Sequence, residues 1–256
     1  LQAINPRLII ARVTAYGQTG PYSDRPGFGR IANAFSGISY LCGEPDSPPA
    51  SPGTATLSDY LTGVYAALGV LTALHVRNRT GRGQIIDLGL YEGTFRLLDE
   101  LAPAYARSGF VRERMGAGTV NAVPHSHYPT KDGKWVAIAC TNDKIFGRLA
   151  AIMDRMDVTG EGIYGTITKR EARRAEVDAF VGHWTSGMTR DEILSACEAG
   201  QVPCGPVYGI DEIFEDPQYA ARGNLVRVDD ERAGELTLPA VCPRLSETPG
   251  SIRWAG

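Results

Sequence analysis

Apolar positions in the first half of the chain alternate between two spacings. LIIARVTAY (residues 8–16) is a nearly continuous apolar and β-branched run closed by Gly17 and by Gly20-Pro21, which predicts a buried strand ended by a turn. RIANAFSGISYL (30–41) has helical spacing, and GEPDSPPASPG (43–53) carries too many prolines for regular structure. A long helix is predicted from about Asp59 to about Arg79, since no charge falls between Tyr60 and Leu74. His75, Arg77 and Arg79 then stand where the helix dipole favours cations, and Gly81 supplies a left-handed cap. QIIDLGL (84–90) reads as a strand, and YEGTFRLLDELAPAYARS (91–108) as a helix interrupted at Pro103. Alternating strands and helices predict an α/β architecture with some parallel pairing.

The texture changes near Met115. GAGTVNAVPHSHYPTKDGKWVAIACTND (116–143) reads as a small-residue loop, a hairpin turn at Lys131–Gly133 and a strand at Trp135–Thr141. Amphipathic helices are predicted at 142–154, 170–186 and 189–199, the last closed by Gly200. Beyond Pro206, IDEIFEDPQYAARG (210–223) reads as a connecting helix, followed by the strand pair NLVRVDD and GELTLPA. The expected division is 1–117 as part of a larger domain, 118–205 as a smaller α+β domain, and 206–256 as the return to the larger one.

Composition narrows the function classes. Apolar residues make up 43% and charged residues 21%, with a net charge of −3, so neither a nucleic-acid groove nor an anionic membrane is an expected partner. The uncharged stretch from Tyr60 to Leu74 is short and rich in Gly, Ala and Thr for a membrane span. Five cysteines without a CxxC pattern suit a reducing cytoplasm. His125 and His127 share one side of an extended segment, but no third ligand lies at matching spacing, so no metal site is expected. Cys204 lacks a partner in sequence and reads as a small buried residue.

Asp59 admits two interpretations. Ser58-Asp59 before an apolar helix is a capping signal. Behind it, Gly63, Ala66, Ala67, Val70 and Ala73 form a helical stripe of mostly small residues, which lets a backbone or a slender ligand approach. The positive helix end favours a carboxylate there, and carboxylates act as covalent nucleophiles in acyl chemistry.

NPRLIIARVTAYGQTGPYSDRPGFGRIANAFSGISYLCG (5–43) and SDYLTGVYAALGVLTALHVRNRTGRGQIIDLGLYEGTFRLL (58–98) resemble the family III CoA-transferases, the group of formyl-CoA transferase and L-carnitine CoA-transferase. YPTKDGKWVAIACTNDKIFGRL, VPCGPV and DPQYAARGNLV follow in the same order. The resemblance implies a Rossmann-like large domain, partly represented here, a smaller α+β domain, and an interlocked homodimer of ring-shaped subunits. Family members are usually longer at both ends. It also implies that Asp59 is the nucleophile, attacking an acyl-CoA to give an aspartyl anhydride and then an aspartyl-CoA thioester. The substrates are then an acyl-CoA and a small carboxylic acid, with no permanently bound cofactor. Thr14, Ala15 and Tyr16 match the strand end that contacts CoA. Residues 116–121, with two glycines, fall near the family's glycine-rich loop. Gly29 and Asn33 stand where relatives often carry Asp and Gln, and Phe28-Gly29 replaces the His-Asp pair of the related α-methylacyl-CoA racemases. A racemase-type isomerase and an inactive CoA-binding subunit are the alternatives.

Overall fold

The apolar run near the start becomes a strand only over Ile10–Thr14, β1. The computed structural model describes residues 1–54 and 56–255, in two units, Leu1–Thr119 and from Val120 onward. In the first unit β1 is followed by α1 (Gly29–Phe35), α2 (Ile38–Leu41), α3 (Leu57–Thr80), β2 (Ile85–Gly89), α4 (Leu90–Arg96) and α5 (Leu101–Ser108). β1 and β2 pair in parallel from Ile10 opposite Ile85 to Thr14 opposite Gly89, as the strand-helix alternation predicts.

The single helix expected over 30–41 is two, because Gly37 adopts φ 94°, a left-handed conformation that a glycine takes without penalty. The helix expected over 91–108 is also two, but the break lies at residues 97–100 and not at Pro103. Pro103 sits in the first turn of α5, where its missing N–H would have had no intrahelical partner. α4 begins directly at the end of β2. A Cβ on Gly89 would lie 2.9 Å from the Tyr91 ring and 3.1 Å from the Tyr16 backbone, so only glycine lets these segments meet.

α3 has 24 residues and ends as predicted, with Gly81 at φ 76° donating its N–H to the Arg77 carbonyl at 2.8 Å. Its inward side is small or polar: Ser58, Thr62 and Ala73 are buried, and a Cβ on Gly69 would stand 3.2 Å from Ile86 of β2. Its outward side carries Tyr60, Val64, Leu68 and Leu71, all exposed. By length and composition α3 could cross a membrane, a test that core helices of soluble proteins also meet.

The second unit begins with a hairpin, β3 (His125–Pro129) and β4 (Trp135–Ala139), joined antiparallel around Gly133 at φ 73°. α6 (Asp143–Ile152), a 3₁₀ turn (Met156–Val158), α7 (Ile167–Glu171), α8 (Arg174–Ser186) and α9 (Arg190–Ala199) follow, and β5 (Cys204–Pro206) adds antiparallel to β4. The helix expected over 170–186 starts late. Arg170 is fully buried, with its guanidinium donating to the carbonyls of Val123 and Tyr164 and to Asp143, and the chain breaks at 172–173 before α8. Val177, Val181, Ile193 and Cys197, each four residues apart within its helix, pack with Phe146, Leu149, Val136 and Ile138 into one core.

The connecting helix over 210–223 is α10 (Ile210–Glu215) and α11 (Pro217–Ala221). Asp216, extended as a residue before proline prefers, accepts from the Gln218 and Tyr219 N–H groups and caps α11. Glu212 of α10 pairs with Arg190 and Lys134 at 2.6 and 3.1 Å. The expected strand pair at the C-terminal end is the hairpin β6 (Leu225–Asp230) and β7 (Gly234–Pro239), which forms its own two-stranded sheet.

Candidate active site

Ser58 and Asp59 are the second and third residues of α3, about 100° apart around the helix, and they face opposite environments. Ser58 points inward. Its hydroxyl donates to Asn33 Oδ1 of α1 at 2.5 Å and lies 2.6 Å from Thr94 Oγ1 of α4, all three residues being 0–1% exposed. Because the single Ser58 proton goes to Asn33, Thr94 donates to Ser58. Four residues on, Thr62 donates to the Leu90 carbonyl at 3.2 Å. Each such bond contributes about 1 kcal/mol net, and stranding one buried partner costs about 1–3 kcal/mol.

Asp59 points outward and is exposed. The helix has no side-chain cap, so neither Ser58 nor Asp59 does the capping work that the sequence suggested. Among the described residues the Asp59 carboxylate has no hydrogen-bond or ion-pair partner. It borders a groove of about 590 Å³ with Thr56, Tyr60, Gly63, Val64 and Ala67. A Cβ on Gly63 would meet nothing within 4 Å, so the small residues there leave space beside the carboxylate. Of the predicted small-residue stripe, Gly63 and Ala67 line this groove, whereas Ala73 belongs to the buried side.

Thr14, Ala15 and Tyr16 lie at the carboxyl end of β1 and just beyond it. The turn after them is tied down by Asp87 of β2, whose two oxygens accept the Gln18 N–H at 3.1 Å. Thr14 Oγ1 is buried with no hydrogen-bond partner among the described residues. Ala15 is closely approached by Gly27, where a Cβ would fall 2.8 Å from the Ala15 methyl. Tyr16 packs edge-on against Tyr22 and Phe35 at 5.7 and 5.1 Å and lies 6.4 Å from Tyr91, and the Arg25 guanidinium stacks on Tyr22 at 3.7 Å. This aromatic group and the Ser58 network share two supports. α1 supplies Phe35 to one and Asn33 to the other, and α4 supplies Tyr91 and Thr94. The strand end and the start of α3 are thereby held by the same pair of helices.

Thr94, Tyr22 and Arg25 gave no usable signal in the sequence, because their partners lie across the fold. Asn33 stands out in the sequence only as a departure from relatives. His75, Arg77 and Arg79 sit in the last two turns of α3. Arg77 stands about 27 Å along the axis from Asp59, so it makes no direct contact with that carboxylate. Gly116 donates its N–H to the Gly43 carbonyl at 3.0 Å, which anchors one end of the 116–121 segment. His125 and His127 lie on β3, and among the described residues no cluster of three metal-ligating side chains occurs. Cys204 of β5 is half-buried; a hydrogen bond from the Cys197 thiol holds it below the ordinary thiol range, while burial pushes Cys140 up to about 12.

The first unit is thus a mixed α/β fold that carries, at the start of its long helix, an exposed carboxylate with no partner among the described residues. The chain matches the profile of CoA-transferase family III over residues 1–256 and belongs to that family. It is 52% identical over 252 residues to the succinyl-CoA–L-malate CoA-transferase alpha subunit of Chloroflexus aurantiacus, covering 98% of this chain and 59% of that protein. The beta subunit is likewise 52% identical, over 258 residues, of which this chain spans 64%. A CaiB/BaiF family protein from Brucella suis superposes with a TM-score of 0.80 at 33% identity, over 97% of this chain and 64% of that one. A hypothetical protein from Mycobacterium tuberculosis gives 0.83 at 21% identity, over 98% and 66%, and shares the fold. The chain therefore spans about six-tenths of the length of the relatives it matches.

Proposed function

We propose that this protein transfers CoA from an acyl-CoA to a free carboxylic acid, with Asp59 as the covalent nucleophile. The observation that carries this reading is the exposed, unpartnered Asp59 carboxylate beside an open groove. A carboxylate oxygen attacks the thioester carbonyl, expelling CoA thiolate and leaving an acyl-aspartyl anhydride. The thiolate returns to the aspartyl carbonyl and releases the donor acid, giving an aspartyl-CoA thioester. The acceptor carboxylate then repeats the sequence in reverse, so that no proton or electron is left unaccounted for.

Names of the relatives supply the substrate class to be tried first, succinyl-CoA as donor and L-malate as acceptor. Thr14, Ala15 and Tyr16 are proposed to contact CoA. The unpartnered Thr14 hydroxyl and the aromatic face beside Tyr16 support this. Both covalent intermediates hydrolyse, so the groove must be covered during turnover. The exposed side of α3, with Tyr60 75% and Val64 66% accessible, supports assembly with a second chain of this fold, as a homodimer or with a sister subunit. The proposed divisions are 1–117 as part of a larger domain, 118–205 as a smaller α+β domain and 206–256 as the return to the larger one; that β6–β7 forms a sheet separate from β3–β4–β5 supports dividing the last stretch from the second. Five free thiols support a reducing, cytoplasmic setting.

Formation of malyl-CoA from succinyl-CoA and L-malate tests the reading. Asp59→Asn should reduce kcat by about a thousandfold or more. Full activity in that variant would remove the nucleophile. Exchange of an α-proton of a 2-methylacyl-CoA, with no CoA transfer, would favour the racemase instead. Phe28, which is 80% exposed and has no ionisable group, speaks against that chemistry.

A further inference from the structure

We infer that Ser58, Asn33 and Thr94 are positioning residues for the reaction at Asp59: a buried relay from α4 through α3 to α1 that fixes where the carboxylate stands. This rests on the nucleophile reading above. Asp59 itself makes no hydrogen bond among the described residues, so nothing attached to its own side chain sets its location. The first turn of α3 also has no side-chain cap, and the first N–H groups of a helix have no intrahelical partners. Such a turn frays unless something else holds it.

The holding group is the preceding residue. Thr94 donates to Ser58 Oγ at 2.6 Å and Ser58 donates to Asn33 Oδ1 at 2.5 Å, in a space sealed from water. In a low-dielectric interior, hydroxyl and amide groups in series prefer one arrangement strongly, and the alternatives leave a buried polar atom unpaired. The relay is also tied to the proposed CoA end. α1 and α4, which supply its outer members, carry Phe35 and Tyr91 against Tyr16. The distance between the bound thioester and Asp59 is thus set through the same two helices that grip the strand end. Apolar side chains of the same shape would fill this space but would add no hydrogen-bond preference for one rotation of α3 about its axis to that of its packing on β2 and α4. Attack on a thioester carbonyl needs the oxygen at near-contact distance and a defined angle, and an error of about 1 Å lowers the rate about a hundredfold.

The test uses the full chain with succinyl-CoA and L-malate, comparing wild type, Thr94→Val, Thr94→Ser, Ser58→Ala and Asp59→Asn. Thr94→Val keeps the shape and removes the donor to Ser58. We expect its kcat to fall about 10- to 100-fold, with KM for succinyl-CoA unchanged within about twofold, and the single-turnover rate of Asp59 modification to fall in parallel. Thr94→Ser restores the hydroxyl and should return kcat to within about threefold of wild type. Ser58→Ala, read the same way, reports if Thr94→Val does not fold. Folded variants with wild-type kcat, or Thr94→Ser no better than Thr94→Val, would overturn the inference and leave the relay a packing feature. Undiminished turnover in Asp59→Asn would instead strike the nucleophile reading itself.

Discussion

The two units differ in the balance of apolar and polar residues that they bury. From Val123 to Val202 the second unit closes a single apolar core, with Val177, Val181, Leu149 and Ile193 wholly sealed. In the first unit the buried apolar side chains among the described residues are Ala32 and Ala73, while Asn33, Ser36, Ser58, Thr62 and Thr94 are sealed beside them. Many of its large apolar residues, among them Phe95, Leu68 and Leu71, are exposed. A unit with its own core owes its shape to packing. One that seals polar groups inside and leaves apolar side chains exposed is held in register by hydrogen bonds as well, and the assembly proposed above would cover the exposed side. The candidate chemistry sits on the second kind.

Substitutions should separate the two. Arg170→Ala strands the Val123 and Tyr164 carbonyls and opens a cavity, and urea unfolding should show a loss of about 4 kcal/mol in the second unit. Ile193→Ala in the same core should cost about 3 kcal/mol. Leu68→Ala, at a position 59% exposed, should cost less than about 0.5 kcal/mol in urea unfolding of the dilute chain, and the assembly proposed above predicts weaker association in sedimentation. A loss near that of Ile193→Ala at all concentrations would break the contrast.

The smallest effect is electrostatic. Hydrogen bonding to Arg190, aided by Lys134, holds Glu212 down at about 2 against an ordinary 4.5. A depressed carboxylate contributes stability that is complete above about pH 4.5 and is lost as the pH falls towards 2. Acid titration should therefore loosen α10 across that window in wild type, and Glu212→Gln should flatten this part of the profile.

Local rules carried much of the architecture. The uncharged run behind Asp59, Gly81 at its end, the β1 and β2 segments and the Gly133 hairpin were legible because each depends on neighbours in sequence. Four expected helices broke where tertiary or backbone demands outweighed periodicity, at Gly37, at 97–100, around Arg170 and its carbonyl partners, and at Asp216 before Pro217. The Asp59 position was visible as a helix start, but its exposure and open groove were not. Ser58 looked like a cap because serine beside aspartate is a capping signal, whereas its real partners are 25 and 36 residues away. Thr94 has no local oddity to betray it.

The most direct measurement is to incubate the protein with succinyl-CoA, trap with hydroxylamine and map the modified residue by peptide mass spectrometry. We expect a hydroxamate at Asp59 that is absent from Asp59→Asn. A protein that transfers CoA while Asp59 stays unmodified under these conditions would contradict the nucleophile reading.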